Sequence, residues 1–132
     1  MITVNVIGGA SLQVMYVPGM NAQNAMEDAY NYGNPNPTLF SFAVQYYGYS
    51  HIAPYSYLGY LVIMINGQFD STTSPYSYWE FFLNNQTSNT GIDSTLLNDG
   101  DAISFQLIQY NEESHSGTLL EHKHIAATKF NK

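Results

Sequence analysis

Apolar residues alternate with polar or small ones in the opening stretch, "ITVNVIGGASLQVMYVPGM", where Ile2, Val4 and Val6 recur with period two. Leu12 and Val14 resume that period with Tyr16 beyond Gly8-Gly9, a pair suited to the positive φ angles of a tight turn. The pattern predicts a β-hairpin whose second strand is broken at Pro18-Gly19. The period then changes. In "NAQNAMEDAYNYG", Ala22, Ala25, Met26, Ala29 and Tyr30 follow the spacing of one buried helical stripe, with Glu27 and Asp28 opposite. Asn21 is placed to cap the first turn, Gly33 suits a left-handed position after the last, and Pro35 prevents continuation. A stripe this rich in alanine lets the helix sit close on a sheet.

Period two returns after "NPNP". In "TLFSFAVQYYGYS", Phe40, Phe42, Val44 and Tyr46 form an apolar face against Leu39, Ser41, Ala43 and Gln45. "HIAPYSYLGY" reads as a loop and "LVIMINGQF" as a buried strand ended by Asn66-Gly67. Two further strands follow, "SYWEFFLNN" and "DAISFQLIQY". Alternation puts Trp79, Phe81 and Leu83 on one face of the first, with Tyr78, Glu80, Phe82 and Asn84 on the other. In the second, Ile103, Phe105, Leu107 and Gln109 oppose Ser104, Gln106, Ile108 and Tyr110. A hairpin, one helix and then mainly antiparallel strands make an α+β fold, most economically a β-grasp-like one with the helix packed on a mostly antiparallel sheet. Residues 1–110 are read as this domain, and residues 111–132 as a C-terminal extension, either strand or flexible tail.

Composition narrows the function. The 132 residues suffice for one domain with a real core. There is no cysteine, which excludes disulfides, thiolate metal sites and thiol nucleophiles. The longest apolar run, Leu58 to Ile65, is strand-sized, well short of the roughly 20 residues that span a bilayer. No cationic, apolar leader opens the chain; Met1 runs directly into a strand, which reads as the start of an excised domain, and any native signal peptide is expected to lie outside it.

Charge decides more. There is no arginine, and the three lysines, Lys123, Lys129 and Lys132, fall in the last ten residues. Residues 1–120 carry nine acidic side chains and no lysine or arginine. Nucleic acids need basic groups on their phosphates, so they are excluded as partners. Sugar-phosphate ligands and anionic membrane surfaces are disfavoured for the same reason. Asn, Gln, Ser, Thr and Tyr must then carry the surface, as is common in secreted and cell-surface modules. An extracellular or cell-surface location and a neutral partner are expected: a small molecule, a glycan or a protein.

The motifs "VPGMNAQNAMEDAY", "GYLVIMINGQF" and "YSYWEFFLNN…GIDSTLLNDGDAISFQLIQY" together resemble the C-terminal β-domain of transcobalamin and intrinsic factor, a module also found in bacterial surface and secreted proteins. The resemblance covers about residues 2–110. It rests on a hairpin leading to a helix, a "G-x-x-V-x-x-I-N" strand (Gly59, Val62, Ile65, Asn66), Tyr78-Trp79, the Gly91-Ile92 turn, and Asp99-Gly100-Asp101 entering the last strand at Ile103. Each motif is weak alone; their order and spacing are more specific. The resemblance implies a β-grasp-like fold and cobalamin, or another corrinoid, as ligand. In the vitamin carriers a separate helical-barrel domain holds the other side of cobalamin, and these 132 residues do not include one.

Six of the twelve tyrosines lie between Tyr46 and Tyr60. Tyrosine combines a large rigid contact area with a hydroxyl, which favours it in recognition surfaces. Tyr46, Tyr49, Tyr55, Tyr57 and Tyr60 are therefore candidate ligand-binding residues; the plain alternative is that they cover a β surface. Tyr78 and Trp79 are added because the resemblance allows a ligand-facing platform there, although alternation assigns Trp79 to the core. His122 and His124 would share a strand face, with His115 nearby and Glu121 facing away, an incomplete metal site. Asp99 and Asp101 read as a tight turn rather than a calcium loop. Asp70, Glu80 and Asp93 have no acid/base spacing, and no nucleophile elbow or phosphate loop occurs, so no enzymatic activity is expected. Asn85-Gln86-Thr87 is a glycosylation sequon, relevant to a eukaryotic secretory source alone. The expected function is a non-enzymatic binding module. The rival is a structural spacer or adhesin domain with no small-molecule ligand, whose aromatic surface or edge strand meets another domain or chain, as in an edge-strand oligomer.

Overall fold

The computed structural model describes residues 1–88 and 90–110. The period-two opening forms the expected hairpin: β1 (Ile2–Val6) and β2 (Ser11–Val14) pair antiparallel, with Ile2, Val4, Val6, Leu12 and Val14 buried. Helix α1 (Ala22–Tyr32) follows. Asn21 and Asn24 close a reciprocal capping box at its start, each side chain accepting the other's backbone N–H at 2.8 and 2.9 Å. Ala22, Ala25, Met26 and Ala29 are buried as the stripe predicted.

Two helix expectations need correction. Tyr30 is exposed: it lies about 90° round the helix from the centre of the alanine stripe, outside so narrow a face. Gly33 has an extended φ of −60° rather than a left-handed one. It is needed for close approach, because a Cβ there would meet the Ala29 carbonyl oxygen at 2.5 Å and the Leu12 side chain at 3.2 Å. That closeness lets Asn34 and Gln13 exchange both backbone hydrogen bonds along the outer edge of β2, at 2.9 and 3.1 Å.

The remaining strands divide between two sheets instead of extending one. β6 (Tyr76–Leu83), β7 (Gln86–Thr87) and β8 (Ala102–Tyr110) join the hairpin in a five-stranded sheet of order β2-β1-β8-β6-β7. Its β1–β8 pair is parallel and its other pairs are antiparallel. β3 (Phe42–Tyr49), β4 (Tyr57–Ile65) and β5 (Gln68–Phe69) form a second, antiparallel sheet. The fold of the described residues is thus α+β, mostly sheet with one α-helix. The main core joins the helix stripe, β1, β2, Trp79, Phe81, Ile103 and Phe105 to Val62 and Ile65 of the small sheet. The Phe81 and Phe105 rings stack at 5.3 Å. Alternation in β6 is as read from sequence: Trp79 and Phe81 are buried, and Leu83 packs against the core.

Alternation holds in β3 as far as Tyr47. Phe42 and Val44 pack on the main core, and Tyr46, opposite Tyr60 on the same face, lies exposed past the end of that core. Tyr47 takes the other face, in a second small core with Leu58 and Leu61. Register shifts between Ala43 and Val44, Tyr46 and Gly48, and Gly48 and Tyr49 make the pairing with β4 irregular. The segment read as a loop to Tyr60 is shorter: β4 begins at Tyr57, where tyrosines and Leu58 suit a strand. The extension at 111–132, with His115, His122 and His124, lies outside the described residues.

Gly33→Ala tests the close approach. It forces a backbone adjustment and is expected to destabilise the fold by about 1–3 kcal/mol. Urea denaturation should show a lower midpoint with an unchanged m-value.

Candidate functional site

The aromatic surface is organised by one carboxylate. Asp93 lies in the segment between β7 and β8, where Gly91 brings the chain hard against β4: a Cβ on Gly91 would collide with the Leu58 carbonyl oxygen. Ile92 N–H donates to the Tyr60 carbonyl at 3.1 Å. Asp93 Oδ1 accepts the Tyr60 backbone N–H, and its Oδ2 accepts the Tyr57 hydroxyl, each at 2.9 Å. Gly59, at φ +66°, passes so close that a Cβ would strike the same carboxylate. Only a glycine fits between these bonds. On its other side Asp93 is tied to the helix, its backbone carbonyl accepting from Asn21 Nδ2 at 3.1 Å.

Above this anchor the tyrosines form a connected cluster. The Tyr46 ring lies 5.0 Å from Tyr60 and 6.3 Å from Tyr57, and Tyr49 meets Tyr57 edge-on at 5.1 Å. Tyr46 and Tyr49 are 52% and 62% exposed, enough to offer ring faces to a ligand, whereas Tyr60 packs on the core beneath them. A hollow of about 430 Å³ opens beside Tyr46 and Tyr49, lined also by Ser50, His51 and Tyr55. Tyr55 stands exposed at its rim with φ +58°. Four of the seven sequence-predicted residues, Tyr46, Tyr49, Tyr57 and Tyr60, therefore come together, and Tyr55 borders them.

The other two lie elsewhere. Tyr78 belongs to a separate group on the five-stranded sheet, edge-on to Tyr110 at 5.8 Å, with Tyr76 stacked on the same ring at 5.4 Å. Trp79 is 4% exposed, and its indole N–H donates to the Gln68 carbonyl at 2.9 Å, bridging the two sheets. Sequence reading missed Asp93, which it considered only as an acid or base. The Gly91-Ile92 turn was the one nearby signal.

Three tyrosines resist ionisation. The Asp93 hydrogen bond, then desolvation, then the Tyr46 hydroxyl hold the Tyr57 proton well above the ordinary phenol range. Burial, then the charge of Asp70, does so for Tyr47, and burial, then a hydrogen bond to Glu80, for Tyr78. The acidic turn is structural. Asp99 pairs with the Met1 ammonium, and Asp101 accepts from the Asn98 N–H and Asn84 Nδ2. Among the described residues, no three His, Cys, Asp or Glu side chains cluster so as to hold a metal ion, and no helix is long and apolar enough to cross a membrane.

Residues 37–109, which contain the tyrosine cluster and Asp93, match the family described as Domain of unknown function (DUF4430). The chain belongs to the DUF4430 family. Beyond that match, no curated protein sequence is similar to it. Among solved structures, this DUF4430 chain is similar to haptocorrin in complex with Cbi, with a TM-score of 0.60 and 18% identity over 83% of the chain. It spans 25% of the haptocorrin chain. It is also similar to a proposed metal-binding protein from Ruminococcus gnavus ATCC 29149, with a TM-score of 0.52 and 15% identity, covering 83% of this chain and 95% of that one. At these identities the likeness is one of fold. Haptocorrin is of the transcobalamin family, so the resemblance read from sequence has a counterpart in architecture.

Asp93→Ala should remove both hydrogen bonds, leave the Tyr60 N–H without its acceptor and destabilise the fold by about 1–3 kcal/mol in thermal or urea unfolding. In an alkaline absorbance titration Tyr57 should ionise earlier in this variant than in the wild type. For the wild type the raised phenols fix the sign. Their stabilisation is intact below the ordinary tyrosine pKa of about 10 and is lost as pH climbs through the higher folded-state values, so stability should fall above about pH 10.

Proposed function

We propose that this chain is a non-enzymatic binding module, extracellular or on a cell surface, with a β-grasp-like fold and a neutral ligand of the corrinoid class. The observation that carries the reading is the tyrosine cluster held by Asp93: exposed rings fixed in mutual contact beside a hollow whose described lining has no carboxylate, lysine or arginine. Rings already locked in place lose little conformational freedom when a flat ligand stacks on them. The haptocorrin likeness supports the corrinoid class, since that protein was solved with Cbi bound. The hairpin, helix α1 and the parallel β1–β8 pair support the β-grasp-like description. The scarcity of cations through residue 120 supports a neutral ligand and a polar, extracellular surface.

Equilibrium dialysis against cobinamide and cobalamin, read by visible absorbance, tests the proposal. Saturable binding is expected, weakened about tenfold by Tyr49→Ala, which truncates an exposed ring without touching the core. Absence of binding at saturating corrinoid would remove the ligand assignment and leave the spacer or adhesin reading.

A further inference from the structure

The central strand of the large sheet outruns one of its neighbours. β6 accompanies β8 along its whole length, from Leu83 opposite Ile103 to Tyr76 opposite Tyr110. On the other side the last β1–β8 pair is Val6 with Phe105. After one more bond, from Ile7 N–H to the Phe105 carbonyl, the hairpin turns away at Gly8. Beyond Phe105, β8 thus has an edge with no neighbouring strand among the described residues.

The direction of its backbone groups follows from alternation. The Phe105 carbonyl faces β1, while the Ala102 carbonyl faces the β6 side, where it accepts from Asn84 N–H. Odd-numbered residues of β8 therefore face the β1 side, and Leu107 and Gln109 turn their N–H and C=O groups to the open edge. Among the described residues nothing bonds to them there. A cleft of about 530 Å³ lies on this edge, in line with the end of β1. Leu107, Trp79 and Ile65 give it an apolar floor, Gly8 and Gly9 form one wall, and Gln68 forms another. Among the described residues, no charged side chain lines it.

We infer that the open edge of β8 at Leu107 and Gln109 is a docking site for an extended, uncharged segment of a partner protein, added in line with β1 as a further strand. The unpaired main-chain donors and acceptors call for a ligand that offers the same groups in an extended register, which a peptide does. Alternate side chains of the added strand would enter the cleft against Trp79 and Leu107. The uncharged lining would penalise an ionised side chain there. The site is independent of the tyrosine cluster, so the corrinoid experiment and this one can fail separately.

The test uses the full chain and a capped, fluorescein-labelled peptide of alternating threonine and valine, about six residues long. Anisotropy should rise saturably, and the same peptide N-methylated at alternate residues should bind at least about tenfold more weakly. Gln109→Pro removes an open-edge N–H and spares the bonds to β6, because Gln109 faces away from that strand; it should weaken binding similarly. Amide hydrogen exchange on the unaltered protein gives a second reading: the Leu107 and Gln109 amides should exchange quickly alone and slowly with peptide. Absence of binding, or equal binding by the N-methylated peptide, would overturn the proposal. So would slow exchange of these two amides in the free chain, which would mean that residues beyond Tyr110 already fill the edge.

Discussion

Asp93 is the joint at which the small sheet, the helix cap and the aromatic surface meet. One oxygen holds the backbone of β4, the other holds a tyrosine ring, and the carbonyl of the same residue holds the helix cap. A backbone bond from the Ile92 N–H to the Tyr60 carbonyl adds a further polar tie between the segment linking β7 to β8 and the small sheet. The residues that make room for the Asp93 carboxylate, Gly59 and Gly91, are constrained by contact rather than by flexibility. An anion is well chosen for the position, since a carboxylate accepts a backbone N–H and a phenol at once and gains strength from its charge in both bonds.

The same joint explains how a surface with so few charges can be ordered. Exposed tyrosines on a flat sheet would be free to choose rotamers, and a ligand would have to fix them. Here Tyr57 is held at its hydroxyl, Tyr46 leans on Tyr60, and Tyr49 is set edge-on against Tyr57. The register shifts at the end of β3 contribute by bringing Tyr49 beside Tyr57, while Tyr47, on the face opposite Tyr46, enters a small core. Packing against that second core and bonding to Asp93 fix the two faces of one strand pair.

Much of the architecture was legible in the chain. Period-two and helical spacing located the hairpin, the helix and the faces of β6 and β8, because each buries one face and the pattern reports burial directly. What stayed hidden was non-local. Nothing within β3 announces that its pairing slips, and the slip brings Tyr49 onto Tyr57, although strict alternation would set Tyr49 with Tyr47, opposite Tyr46. The bond from Tyr57 to Asp93 joins residues 36 apart. Local spacing cannot see such a contact, so Asp93 passed as an isolated acid. Gly33 was read by its preference for left-handed turns, whereas the deciding factor was the carbonyl of Ala29 beneath it. The division into two sheets was missed too, since period two says that a strand has a buried face but not which sheet it joins.

Trp79 gives the fold an optical property as well. Its indole is the single lowest-energy chromophore in a protein with twelve tyrosines, and it is buried where the two sheets touch, bonded through its N–H to Gln68. Light absorbed by the surrounding phenols has one nearby acceptor to which it can migrate. The balance between tyrosine and tryptophan emission is thereby a built-in ruler for the spacing of the two sheets, present without any label.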